Sequence, residues 1–132
     1  MSGDRGSLPR HKSPSLRVLA LPAYTNQMGD IFGGWIMSQV DIAGSIPAAR
    51  RAKGRVVTLK VNSLEFHRPV CVGDLISCYA EVVRVGRSSL TVDVDVYAER
   101  NPGQTQVIHV TQATLTYVAV DVDGRPRAVP PA

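Results

Sequence analysis

The sequence predicts an α+β fold in which an antiparallel sheet wraps over one long helix. A single helical run follows one short strand, and four further strands succeed one another after it. Tight turns join those later strands, with no helix between them. Segregation of helix from strands marks α+β architecture, whereas a doubly wound nucleotide fold alternates the two.

Each element follows from local pattern. Residues 1–14 are rich in Gly, Ser, Pro and Arg and are expected to form a flexible tail. A first strand is expected over 16–21, ended by Pro22, and a turn-prone connection runs from Tyr24 to Asp30. The helix opens at Gly33 and Gly34, because Ile36, Met37, Val40, Ala43 and Gly44 recur at helical spacing. It is expected to reach Ala52, with Lys53 and Gly54 as its stop signal. Alternation then replaces the helical period. Val57, Leu59, Val61 and Leu64 define a strand ending near Phe66, and a second strand spans 75–85 after a turn at Gly73. Leu90, Val92, Val94 and Val96 alternate with Thr91, Asp93, Asp95 and Tyr97, the pattern of a half-buried strand. A turn at 101–103 leads into a last strand over 107–120. The domain is expected over 15–128, with 129–132 as a C-terminal tail.

Bulk properties narrow the function classes. A chain of 132 residues with 44% hydrophobic and 20% charged residues suits one soluble domain. Aromatics at 5% leave the core to Val, Ile, Leu and Ala. The net charge of +4 favours anionic ligands. Nucleic acid is disfavoured as a partner, because a stacking platform needs aromatics interleaved with basic residues. Cys71 and Cys78 form no CxxC motif and have no histidine at ligand spacing, so no metal site is expected. They are read as free, buried thiols in a reducing, cytoplasmic setting. No apolar run approaches the roughly 20 residues of a membrane helix.

Candidate chemistry gathers around the helix. Its first-turn N–H groups have no partner inside the helix, and the macrodipole adds positive potential there. Gly33 and Gly34 let another group approach that backbone, so they can donate to a carbonyl oxygen gaining charge; equally, they serve a turn or tight packing. Asp41 lies two turns on, over Met37 and beside Val40, at the margin of the buried face. A carboxylate there is either used or reaches solvent or a backbone donor. Asn26 precedes the helix, where Asn commonly shapes turns, and Asp30 suits the helix dipole without chemistry.

The stretch from Thr25 to Asp41, TNQMGDIFGGWIMSQVD, resembles the signature of YciA-like acyl-CoA thioesterases of the hotdog superfamily. Segments 54–58 (GRVVT), 66–74 (FHRPVCVGD) and 85–89 (VGRSS) resemble the same family in the same order. The resemblance covers about residues 16–128. It implies a hotdog fold, a five-stranded antiparallel sheet around one long central helix, and hydrolysis of acyl-coenzyme A to a free acid and coenzyme A. By resemblance, Asp41 is the catalytic carboxylate, Asn26 works from the partner subunit, and Gly33 supplies the oxyanion N–H. Gly34 and Phe66 are expected to contact substrate. Coenzyme A is expected on Arg87, Ser88 and Ser89, with Arg68 and Arg55 as further candidates. It arrives as part of the substrate, and no metal or redox cofactor is implied. The family joins two sheets edge to edge with active sites at that interface, so a homodimer is the minimum, extended by resemblance to a homohexamer as a trimer of dimers.

Two positions depart from the family pattern. Met28 stands where a small or polar residue is common, and Pro47 lies inside the helix, where it removes the backbone bond to Ala43 and predicts a kink. The histidines argue against a hotdog dehydratase, which needs one near the helix entrance; Phe32 occupies that region, while His67 and His109 fall on strands or their ends and His11 lies in the tail. No G-x-S-x-G elbow supports a serine esterase. The competing class is a non-catalytic acyl-CoA-binding module on the same fold.

Overall fold

The computed structural model describes residues 6–132. Five strands, β1 (Leu16–Leu19), β2 (Val56–Phe66), β3 (Leu75–Val85), β4 (Ser89–Arg100) and β5 (Gln106–Ala119), accompany one helix, α1 (Gly33–Ala52). The strands form one sheet in the order β1-β3-β4-β5-β2, every pairing antiparallel. Register shifts interrupt β3 against β4, β4 against β5, and β2 twice against β5. Bulges of this kind bend strands and increase twist, which suits a sheet wrapped around a helix.

The core lies between α1 and the inner face of the sheet. Ile36, Val40, Ala43 and Ala48 meet Val92, Val94 and Val96 of β4 and Ala113, Leu115 and Tyr117 of β5. The alternation read in β4 is observed: residues 90, 92, 94, 96 and 98 are buried and the intervening ones are not. Small residues on the inner helical face, Ala43, Gly44 and Ala48, bring the backbone of α1 close to the sheet.

The helix ends as its stop signal implies. Lys53 adopts φ 55°, and its N–H bonds to Arg50 O. Arg127 returns from beyond β5 to donate to Ala52 O at 2.9 Å and Val120 O at 3.0 Å. Gly54 leaves room for it, since a Cβ there would stand 2.6 Å from the Arg127 guanidinium. At the opposite end, buried Asp74 accepts Arg100 Nε at 2.9 Å, Arg100 Nη2 at 2.8 Å and the Cys71 N–H at 2.9 Å, which ties the β2–β3 loop to the end of β4.

Several expectations need adjustment. β1 stops at Leu19, because Pro22 opens a short 3-10 turn, Pro22–Tyr24. In β2 the alternation does not give a half-buried strand. Val57, Leu59 and Val61 are 39%, 61% and 43% exposed, while Val56 and Leu64 reach the core. β2 is an edge strand and has one neighbour only. Cys78 is buried, which pushes its thiol up to about 12, whereas Cys71 is exposed. Pro47 leaves α1 continuous to Ala52. Residues 1–5 of the expected N-terminal tail lie outside the described residues. Further along it, Lys12 pairs with Glu81 on β3 at 3.6 Å. Residues 129 and 130, expected in a tail, are tied down: the Val129 N–H donates to Arg87 O at 2.7 Å, and Arg51 Nη1 to Pro130 O at 2.6 Å.

Candidate active site

Helix α1 begins without a side-chain cap: Phe32 occupies the N-cap position and supplies no capping bond. Its first-turn amides therefore face outward from a positive helix end. Nothing lies within 4 Å of where a Gly34 side chain would begin, so that backbone is open to a ligand. Gly33 is closer to its neighbours. A Cβ there would meet the Phe66 ring at 3.3 Å, so Phe66 at the end of β2 lies over the helix start.

Asp41 is half-buried on the side of α1 facing β2 and β5. Thr58 of β2 donates its hydroxyl to Asp41 Oδ1 at 2.7 Å. Tyr117 of β5 donates toward Asp41 O at 2.8 Å and Oδ1 at 3.2 Å. Beside the carboxylate lies a cavity of about 300 Å³, walled by Gly34, Met37, Val61, Leu64 and Leu115. An ionisable group thus borders an apolar hollow, and that hollow reaches back to the second glycine of the helix start. A carboxylate in such a place can take a proton from water or attack an electrophilic carbon.

The candidate residues fall into three groups along the molecule. Asp41 and Gly34 share the central cavity. Gly33, Phe66 and Arg68 line an adjoining hollow of about 320 Å³ at the N-terminal end of α1. Arg55, Arg87, Ser88 and Ser89 gather at the other end, where Ala119 N donates to Ser88 O and Val120 N to Arg55 O. Asn26 lines neither hollow. Its side-chain oxygen accepts the N–H groups of Met28 at 2.8 Å and Asp30 at 3.1 Å, so within its own chain it shapes the loop before the helix. Met28 is thereby turned outward.

Thr58 is the contact that spacing alone does not reveal. It belongs to one of the segments that carry the family resemblance, but a threonine on a strand reads simply as a β-former. His67 also lines the hollow at the N-terminal end of α1. His109 contacts Asp95 at 2.9 Å, and its ring stacks obliquely on Tyr97 and His67. Among the described residues no group of three or more His, Cys, Asp or Glu side chains could hold a metal, and no helix is long and apolar enough to cross a membrane.

Known proteins share this fold and much of this sequence. The thioesterase superfamily model matches residues 28–105. The acyl-CoA thioester hydrolase YciA of Escherichia coli is 49% identical over 117 residues, 87% of this chain and 89% of that protein. A hexameric hotdog-fold thioesterase of Campylobacter jejuni superposes with a TM-score of 0.88 at 44% identity, covering 92% of this chain and 93% of the other. An acyl-CoA hydrolase of Staphylococcus aureus, solved with butyryl-coenzyme A and coenzyme A, superposes with a TM-score of 0.80 at 30% identity over 87% of this chain and 70% of its own. That enzyme has also been solved as an aspartate-to-alanine and as a threonine-to-alanine variant, at positions 17 residues apart. With the five-stranded antiparallel sheet wrapped on one helix, these matches show that the chain belongs to the thioesterase superfamily, among the YciA-like acyl-CoA thioester hydrolases of hotdog fold.

Proposed function

We propose that the chain hydrolyses acyl-coenzyme A thioesters to a free carboxylic acid and coenzyme A, with Asp41 as the reacting carboxylate. The observation that carries this reading is the Asp41 side chain bordering a cavity walled by Met37, Val61, Leu64 and Leu115. The thioester carbonyl accepts from the uncapped helix start of one chain, at Gly33, while it faces Asp41 of the other, a contact that strengthens as the oxygen gains charge. Asp41 either draws a proton from the attacking water or itself attacks to give a mixed anhydride that water then opens. Both routes start from the same ionised side chain. The separation of 17 residues between Asp41 and Thr58 equals that between the two substituted positions of the Staphylococcus enzyme, which supports Thr58 as part of the site.

Helix geometry argues that one chain is not enough. Gly33 and Asp41 are eight residues apart, about 12 Å along the axis at 1.5 Å per residue. A donor and a base must each stand about 3 Å from the reacting group. They meet one carbonyl when they come from two chains, which fits Asn26 acting on the site of a partner. The surface for that partner is β2, an edge strand adjoining the Asp41 cavity with Val57, Leu59 and Val61 uncovered. Edge strands of this kind pair readily. A homodimer is then the smallest active unit, and a trimer of such dimers follows the hexamer of the Campylobacter relative.

Coenzyme A enters as part of the substrate, and the chemistry calls on no metal or redox cofactor. The basic end of the molecule, Arg55 and Arg87 with Ser88 and Ser89, offers cations and hydroxyls to its phosphates, with Arg68 at the other end as a further candidate. The acyl chain occupies the hollow of Met37, Val61, Leu64 and Leu115.

Thiol release from a panel of acyl-coenzyme A esters, read with a colour reagent, tests the proposal. Asp41→Ala is expected to lower turnover by at least about a hundredfold with the oligomer intact. Near-normal turnover in a correctly assembled variant would refute the assignment, and binding without thiol release by the unaltered protein would establish the non-catalytic module instead.

A further inference from the structure

Tyr117 is fully buried in β5, behind Asp41 and outside the walls of the acyl cavity. A buried phenol needs a hydrogen-bond partner. Here the partner is Asp41 itself, through its backbone oxygen at 2.8 Å and Oδ1 at 3.2 Å. The hydroxyl reaches the helix only because residue 44 has no side chain. A Cβ on Gly44 would overlap the hydroxyl oxygen and stand 3.2 Å from two ring carbons. Gly44 has an ordinary helical backbone rather than a positive φ, so its lack of a side chain serves space and not conformation.

Thr58 and Tyr117 address the same carboxylate oxygen from two strands, and Oδ2 of Asp41 has no donor among the described residues. The single Tyr117 proton is shared between the Asp41 backbone oxygen at 2.8 Å and Oδ1 at 3.2 Å, and together with the Thr58 bond at 2.7 Å this fixes the carboxylate plane and leaves the other oxygen for chemistry. We propose that Tyr117 is a positioning residue: with Thr58 it pins Oδ1 of Asp41 so that Oδ2 is presented to the thioester or its water, and Gly44 is the notch that admits the hydroxyl. The assignment rests on the reading of Asp41 as the reacting carboxylate.

Burial, then the charge of Asp41, then their hydrogen bond raise the Tyr117 phenol above its usual value, so it stays protonated and remains a donor across the working range. Thr58 is uncharged, and Tyr117 is the titratable group that the structure brings against the carboxylate among the described residues.

A purely structural tyrosine would behave differently, and Tyr117→Phe separates the two. The ring still fills the core, so the variant is expected to fold and assemble. Its kcat should fall about tenfold, the scale of one hydrogen bond to a charged group. KM should stay within about twofold, because Tyr117 does not line the cavity. A lowered melting temperature with kcat unmoved would show that the hydroxyl serves only the helix backbone, and would overturn the proposal.

Gly44→Ala gives an independent arm. It should reproduce the kcat loss of Tyr117→Phe in the parent chain, yet add clearly less than that loss when combined with Tyr117→Phe, because the overlap with the hydroxyl is then gone and only the 3.2 Å ring contacts remain. Additive losses would overturn the notch. Should Gly44→Ala fail to assemble, Tyr117→Phe alone decides. Asp41→Ala in the same series separates the premises: if it keeps turnover, the carboxylate assignment fails. If it loses turnover while Tyr117→Phe leaves kcat unchanged, only the positioning role fails.

Discussion

At the scale of single residues, the site depends on how one carboxylate is held. Thr58 gives Asp41 the shortest of its side-chain contacts, at 2.7 Å. Thr58→Val keeps the shape and removes the hydroxyl, so kcat is expected to fall about tenfold, while Thr58→Ser should retain most activity. Comparing kcat for the two variants checks this: full activity in Thr58→Val with a loss in Thr58→Ser would mean that the methyl group matters and the hydroxyl does not. Asn26 shows how a residue can carry two roles. Its oxygen organises its own loop through Met28 and Asp30, which is the role that sequence reasoning assigns to an isolated asparagine. Its second role, toward a partner, rests on the resemblance.

At the scale of elements, the C-terminal end of α1 is held by two devices of different legibility. The stop at Lys53 and Gly54 is readable because left-handed cap residues are local signals. Arg127 as a cap is not readable, since it lies 75 residues from the carbonyl it serves. Arg127→Ala removes bonds to both Ala52 O and Val120 O, and is expected to cost about 2 kcal/mol. Denaturant unfolding measures that loss, with the midpoint moving and the slope unchanged. Activity per folded molecule should be nearly unaffected, because Ala52 lies 11 residues beyond Asp41. β2 teaches the opposite lesson. Its apolar residues alternate in sequence, yet Val57, Leu59 and Val61 are exposed, because β2 is an edge strand with a neighbour on one side only.

At the scale of the whole molecule, the exposed edge and the distance between Gly33 and Asp41 both point to a site shared by two chains. Mixing two inactive variants tests this. Asp41→Ala and Asn26→Ala, co-refolded in equal amounts, should recover about a quarter of parental activity, since half the dimers are mixed and each mixed dimer keeps one intact site. Sites complete within one chain would recover nothing, because every chain then carries a damaged site. Leu59→Lys, in the middle of the uncovered edge, is expected to shift the assembly toward monomer and to abolish thiol release while Asp41 and Thr58 remain. Light scattering and activity on the same sample check the pair of outcomes.

The sequence by itself determined one helix with its stop, the inward face of β4, and the placement of Asp41 beside the apolar stripe. These follow from periodicity, which is a property of neighbouring residues and survives without any knowledge of the fold. The tertiary structure alone decided which side chains reach that carboxylate. Thr58 and Tyr117 lie 17 and 76 residues from Asp41 and meet it because β5 is paired with β2 beneath the helix. The same holds for the notch at Gly44 and for the return of Arg127 to the helix end. Contacts between distant segments depend on strand order and register, and a local pattern of apolar and polar residues carries no record of either.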